Sequence, residues 1–228
     1  MRSLFAFLIA AAAIASATPA RAQLINQPGG ASVASVVGVH AFFIVEREKM
    51  QAKNSFDAIL ADSSKSSMTF AGGGIEVTRL WKGLFFRVAA TRAKNDGSRV
   101  FVADDGTVVP LNVPLTVEII PLEIGGGWRF TSSRQPHVVP YVGAAVLTQR
   151  YRETAEHASA DENTDVSDTG ESIFGGIELA YGFARVGLEG QFRNLPDALG
   201  LEQTAVSTGY KETNLGGAVF RVTVGVGF

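Results

Sequence analysis

Residues 183–193 read FARVGLEGQFR, and the fold turns on how they alternate. Ala184, Val186, Leu188, Gly190 and Phe192 fall on one side of an extended chain, with Arg185, Gly187, Glu189, Gln191 and Arg193 on the other. A period of two is the period of a strand, and no helical spacing holds for two turns. The last stretch behaves alike: Phe220, Val222, Val224, Val226 and Phe228 alternate with Arg221, Thr223, Gly225 and Gly227. Upstream, Leu84, Phe86, Val88 and Ala90 alternate with Phe85, Arg87, Ala89 and Thr91.

Extended outward, the same test predicts eight strands, at 34–46, 68–80, 84–95, 112–130, 138–152, 170–181, 183–194 and 213–228. In the fourth, Val113, Leu115, Val117 and Ile119 give way to Leu122, Ile124, Gly126, Trp128 and Phe130, so the apolar residues change side. That predicts a β-bulge beside Pro121, where a one-residue slip would occur. The connections alternate in length. Short turns lie at Trp81-Lys82-Gly83, 131–137 and Tyr181-Gly182, and long loops at 47–67, 96–111, 153–169 and 195–212. In an up-and-down sheet this puts every long loop at one end. Within the second loop, Val100-Phe101-Val102 and Val108-Val109 flank Asp104-Asp105-Gly106, which predicts a β-ribbon continuing beyond the sheet.

Composition sets the outer bounds. The chain has 228 residues, a net charge of -2, no cysteine and 25 glycines. Disulfide staples and thiolate metal sites are excluded, and there is no basic footprint for nucleic acid. Mean hydropathy is +0.17, yet no long apolar run follows residue 22. Residues 1–22 have Arg2, an apolar stretch from Leu4 to Ala17 and Ala20-Arg21-Ala22, the order of a secretory signal peptide. The expected organisation is therefore a signal peptide at 1–22, an N-terminal periplasmic segment at 23–33 and a barrel at 34–228.

Closure follows from what is missing. A sheet with one apolar face and no covering helix would leave that face and two edges bare. The predicted fold is an all-β, closed eight-stranded antiparallel up-and-down barrel. Strands of this length cross a bilayer when tilted, and their apolar face then meets lipid at every second residue. A soluble barrel of lipocalin type would instead turn that face inward around a ligand. The uneven loops favour the membrane version, as do Trp81, Trp128, Phe130, Tyr141 and Tyr181 near the expected boundaries, placed to form aromatic girdles.

These features, with Val222, Val224, Val226 and Phe228 as an alternating last strand ending in an aromatic residue, resemble the small outer-membrane β-barrel superfamily. That group contains the membrane domain of outer-membrane protein A and its single-domain relatives. The resemblance covers 34–228 and implies an outer-membrane location with both termini periplasmic and long loops extracellular. It further implies outer-membrane lipid and lipopolysaccharide as surroundings, and the barrel assembly machinery as the reader of the last strand. The two-domain members carry a peptidoglycan-binding domain; the barrel fills this sequence, so that tethering role is not expected.

With the apolar face outward, the other face fills the lumen. His40, Glu76, Arg87, Glu118, Glu123, Arg129, Arg150, Glu178, Arg185, Glu189, Arg193 and Arg221 are the residues expected there, as an ion-pair network. Eight strands leave an interior just wide enough for side chains. Gly175, Gly187, Gly225 and Gly227 are expected to make room for the arginines. The chemistry candidates are weak. His40 has no serine and carboxylate beside it in a recognisable order, and His137 and His157 lack partners at metal-ligand spacing. Asp161, Asn163 and Asp165 open like a calcium loop, but Val166 and Ser172 stand where glycine and glutamate are needed. Residues 161–171 therefore read as an acidic loop tip. Gly72-Gly73-Gly74 lies in a strand and reads as close packing or a bend. No catalytic, cofactor or metal site is expected. The sequence favours a non-enzymatic barrel presenting four surface loops; a small channel, a lipid-modifying enzyme using His40 and a soluble binding barrel remain alternatives.

Overall fold

The computed structural model describes residues 38–60, 66–81, 83–103, 105–131, 137–156, 163–196, 198–199 and 210–227. Expectations for 1–37, His157, Asp161 and Phe228 lie outside these residues.

Among the described residues the strands are β1 (Gly38–Met50), β2 (Ser67–Thr78), β3 (Leu84–Val102), β4 (Val108–Arg129), β5 (Val138–Ala155), β6 (Thr164–Tyr181), β7 (Ala184–Asn194) and β8 (Gly217–Gly227), with the helix α1 (Lys53–Ile59). Each strand pairs with its neighbours in sequence, and β1 pairs antiparallel with β8, closing an eight-stranded barrel. The expected fold is the observed one. The short turns form where the chain can take positive φ, at Gly83 (100°) and Gly182 (59°).

The long-loop end departs from the expectation. β3 to β6 run well past their expected ends, so the loops expected at 96–111 and 153–169 are largely strand. Val102 pairs with Val108, Phe101 with Val109 and Val100 with Pro110, which is the expected ribbon. Residues 164–171, expected as an acidic loop tip, belong to β6. The loop after β1 contains the seven-residue helix α1, which the strand period gave no means of seeing.

The bulge is also elsewhere. β4 pairs with β5 without a break from Leu115↔Ala155 to Arg129↔Tyr141, straight through Pro121. The register shift lies between Ser98 and Val100, opposite the Pro110–Pro114 segment. From Leu115 onward the odd positions of β4 stay inside: Leu115, Val117, Ile119 and Glu123 are buried while Leu122 and Ile124 are exposed. The backbone does not slip; the polarity of the two faces is exchanged partway up the barrel.

That exchange divides the barrel into two storeys. In the storey nearer the long loops the interior is an apolar core, in which Met50, Met68, Phe70, Leu115, Val117, Ile119, Leu147 and Tyr151 meet Phe56, Ile59 and Leu60 from the α1 segment. Leu195, Leu199 and Leu215 from the β7–β8 connection complete it. The carboxylate of Glu212 accepts hydrogen bonds from the backbone N–H groups of Asn54 (3.1 Å) and Ser55 (2.8 Å), satisfying free donors of the first turn of α1. Two connections are thereby locked together as a plug. In the other storey the interior is charged.

Glycine admits one close approach here. A Cβ on Gly74 would stand 2.7 Å from the Phe42 ring, so the bare backbone lets that ring pack directly against the wall. The glycine run is a packing feature, as read from the sequence.

Candidate functional site

The charged storey is the chemical centre of the molecule. Arg193, Arg221 and Arg87 project inward from β7, β8 and β3 among Glu46, Glu48, Glu123 and Glu189, and all seven are buried. Arg193 donates to Glu46 (2.8 Å), Glu48 (2.5 Å) and Glu123 (2.5 Å). Arg221 donates to Glu46 (2.7 Å), Glu189 (3.2 Å) and Glu123 (3.0 Å), and Arg87 grips Glu189 with both terminal nitrogens. The neutral side chains Thr91 and Gln191 donate to Glu46 (2.9 Å) and Glu123 (3.0 Å). The Arg87 guanidinium lies 3.6 Å over the Phe174 ring, in an aromatic cluster with Phe85 and Tyr141.

A second ionic group closes the short-turn mouth. Arg129 bridges Glu76 and Glu178, Arg185 stands 3.6 Å from Glu178, and His40 Nδ1 is 3.6 Å from Glu76. A cavity of about 30 Å³ lies among them, room for about one water. His40, Glu76 and Glu178 offer three donor atoms within 4.8 Å of one another. Both carboxylates already hold Arg129, so a metal would have to displace a guanidinium. The arrangement works as an ionic seal.

Ten of the twelve expected lumen residues face inward: His40, Glu76, Arg87, Glu123, Arg129, Glu178, Arg185, Glu189, Arg193 and Arg221. Glu118 and Arg150 do not. They sit on the outward even positions of β4 and β5, beyond the level at which the faces exchange polarity, where charge belongs outside. Glu46 and Glu48, not foreseen in the lumen, occupy the inward positions of β1 that follow from His40 in steps of two. Two further placements change. Tyr141 is inside rather than in a girdle, and Gly175 faces outward on β6. Trp81, Phe130 and Tyr181 are exposed at the short-turn end, as expected of a girdle, and Trp128 packs edge-on to Trp81 at 5.9 Å.

The outer wall is the complement of the interior. Around the charged storey the outward residues are apolar: Phe43 and Val45 on β1, Leu84, Phe86 and Val88 on β3, Val142 and Val146 on β5, Ile173, Ile177 and Leu179 on β6, and Phe220, Val224 and Val226 on β8. Val222, Val224 and Val226, expected as part of an assembly signal, lie on this wall. On β5 the band runs from Val138 to Val146, roughly 20–25 Å of height for a strand tilted by about 40°. Above it the same faces turn polar, at Arg47, Thr69, Arg92, Glu118, Thr148 and Glu171.

A chain of outward ion pairs crosses this level. Arg92 and Arg152 hold Glu118, while Arg152 and Arg150 hold Asp165. Hydrogen bonds from Arg150, aided by Arg152, hold the Asp165 carboxyl at about 2, below the ordinary ~3.9. A lowered folded value means that the pair's contribution is complete above about pH 4 and is lost as pH falls through about 2. The group is exposed, so that contribution is small. Carboxyl NMR should give an Asp165 midpoint near 2, moving towards ~4 in Arg150→Gln/Arg152→Gln.

No family model and no curated protein matches the chain. The solved structures similar to it include Ail, the attachment invasion locus protein of Yersinia pestis, at 7% identity and a TM-score of 0.48, covering 84% of this chain and 97% of that one. Neisserial surface protein A is similar at 13% identity and a TM-score of 0.44, covering 84% and 94%. The N-terminal β-barrel domain of Pseudomonas aeruginosa OprF is similar at 12% identity and a TM-score of 0.41, covering 84% and 97%.

Proposed function

We propose that this chain is an integral outer-membrane protein with a filled lumen, whose barrel anchors and presents the structures at its long-loop end in a structural or surface-interaction role. The observation that carries the reading is the paired exchange of polarity. Where the outer wall is apolar the interior is ionic, and where the outer wall is polar the interior is an apolar core with a helical plug. In water the lower wall would expose an apolar band all round the barrel, far larger than a soluble monomer carries. In a bilayer that band meets hydrocarbon and the upper storey stands in water. Both termini then face the periplasm, and the ribbon of β3 and β4 projects outward from the cell.

Export by residues 1–22 and recognition of the last strand by the assembly machinery belong to this proposal, as do outer-membrane lipid and lipopolysaccharide as its neighbours. The role is non-enzymatic: His40 is inside the seal beside Glu76 and Arg129, and the cavity it shares with the hydroxyls of Thr223 and Tyr141 is only about 30 Å³, far below the few hundred Å³ a lipid substrate needs. His40→Ala should leave the lipid A species of the native host unchanged, and a new or missing species would revive the lipid-modifying alternative. The ionic layer and the plug together occupy the bore, so refolded protein in planar bilayers should show no steady conductance.

Heat-modifiable gel mobility tests the reading. Unboiled detergent-extracted protein should migrate apart from boiled protein and resist carbonate extraction. Identical mobility together with release by carbonate would mean a soluble barrel.

A further inference from the structure

We propose that Glu48 carries a proton, shared across the bore with Gln149, and that this proton makes the floor of the plug sensitive to pH. Both residues lie in the interior, so the site holds whichever medium meets the outer wall.

The buried ionic layer has four carboxylates, Glu46, Glu48, Glu123 and Glu189, but three guanidinium groups, Arg87, Arg193 and Arg221. The group at the short-turn mouth sets Glu76 and Glu178 against Arg129 and Arg185, so it has no positive charge to lend. One carboxyl is in excess away from water, and a buried carboxyl without a counter-charge neutralises by taking a proton. Hydrogen bonding shows which one. Both oxygens of Glu46, Glu123 and Glu189 accept from arginine. Glu48 accepts from Arg193 through Oε2 at 2.5 Å, while its Oε1 is buried without a partner among the described residues. One oxygen that accepts and one left to donate are the pattern of a neutral carboxyl group.

Register places an acceptor on the facing wall. From Phe43 the paired positions run through Gly73, Ala90 and Leu122 to Thr148 one way round the barrel. The other way they run through Val224, Val186 and Leu179 to Val138. The two rows slant equally in opposite senses, so the height of Phe43 on β5 is midway, at Gly143. Glu48, five residues further along β1, is level with Thr148, and Gln149 is the inward residue next to it. β1 and β5 are four strands apart in either direction and so face each other. Eight strands spaced about 4.8 Å and tilted by about 40° make a wall roughly 16 Å across. Two extended side chains cover that distance with room for one water between them. Both side-chain amide atoms of Gln149 are buried without a partner among the described residues. Its carboxamide can therefore turn its oxygen to the Glu48 proton.

The neighbours of Glu48 decide what its ionisation does. Glu46 is one inward step below it, Arg193 and Glu123 reach in from β7 and β4, and Arg221 and Arg87 are taken up by the other carboxylates. β2 brings only the uncharged Met68 and Phe70. On β6, Asp168 is opposite Gln149 and accepts from the Thr169 N–H at 2.7 Å. On β5, Tyr151 keeps its hydroxyl on Glu153. No further cation is present to answer a second charge beside Glu46. Met50, the next inward residue of β1, and Met68, opposite Glu48, belong to the apolar core. An ionised Glu48 thus sets an unbalanced charge against the floor of the plug.

Side-chain carboxyl NMR of the full-length protein in phosphatidylcholine nanodiscs reads the proton directly. At about pH 6 an ordinary glutamate, with a midpoint near 4.3, is ionised, and Glu48 should be neutral. The Gln149 side-chain amide should shift with the midpoint of Glu48. An ionised Glu48 at that pH overturns the proposal whether or not any variant folds, and a Gln149 amide that ignores the Glu48 titration overturns it as well. Glu48→Gln keeps the shape and still donates across the bore. The folded chain holds a proton that the unfolded chain releases, so raising the pH weakens the wild type. Between about pH 6 and about pH 9, a range that reaches the values documented for buried glutamates, the folding constant of the wild type should fall against that of Glu48→Gln. The fall should approach tenfold per pH unit above the Glu48 midpoint. A ratio that stays constant over the range also overturns it.

Discussion

Arg193→Met is expected to lower the unfolding free energy of the barrel, measured in urea with lipid vesicles, by about 3–5 kcal/mol. Arg193 is wholly buried and donates to Glu46, Glu48 and Glu123, which come from two other strands. Methionine fills much of the same volume, so the loss is one of charge rather than of packing. Three buried carboxylates then share what Arg221 and Arg87 can still give, and uncompensated charge away from water is the costly outcome. Arg150→Met is the matched control. Its partner Asp165 is held in the open, with side chains 48% and 43% exposed, and such pairs contribute less than about 1 kcal/mol. A loss of under about 1 kcal/mol at Arg193 would show that the ionic layer is not what holds the lower storey together.

The second large effect concerns the other side of the wall. Ile177 and Ser167 both face outward on β6, ten residues apart, one in the apolar band and one in the upper storey. Ile177→Arg should cost about 2–4 kcal/mol in bilayers, the cost of arginine near the midplane of a lipid-facing wall. Ser167→Arg should stay within about 0.5 kcal/mol, as for an exposed position in water. Equal costs at the two positions would mean that β6 crosses no boundary between hydrocarbon and water.

Alternation made most of the fold legible. β7 and the starts of β3 and β5 fall within a residue of the expected positions, because in the lower storey every second residue is apolar and the intervening ones carry the charges. The same rule led to three misplacements with one cause. A period of two separates the faces of a strand but does not say which is inside, and that assignment reverses in polarity near Arg47, Arg92, Glu118 and Thr148. The reversal looks like a slip at Pro121, puts Glu118 and Arg150 on the wrong side, and hides that Leu115, Val117 and Ile119 belong to a core. Tyr141 illustrates a different limit. An aromatic residue near a boundary fits a girdle equally well from either face, and only the position beside Phe85 and Phe174 places it inside. The ion-pair partners were not readable, since they join strands distant in sequence, as Arg221 and Glu46 do across the closing seam. The plug was invisible for a related reason: α1 is too short to show a period, and it is held by Glu212 from the far end of the chain.

The central claim is that the outer wall passes from hydrocarbon to water where the interior passes from ionic to apolar. Nitroxide labels placed singly at the outward positions of β5, from Pro140 to Arg152, test it directly by power-saturation EPR in vesicles. Oxygen should dominate the accessibility from Pro140 to Val146, and a water-soluble nickel chelate should dominate from Thr148 onward, with the crossover within one outward position of that step. Nickel access at every position would place the whole wall in water and contradict the account.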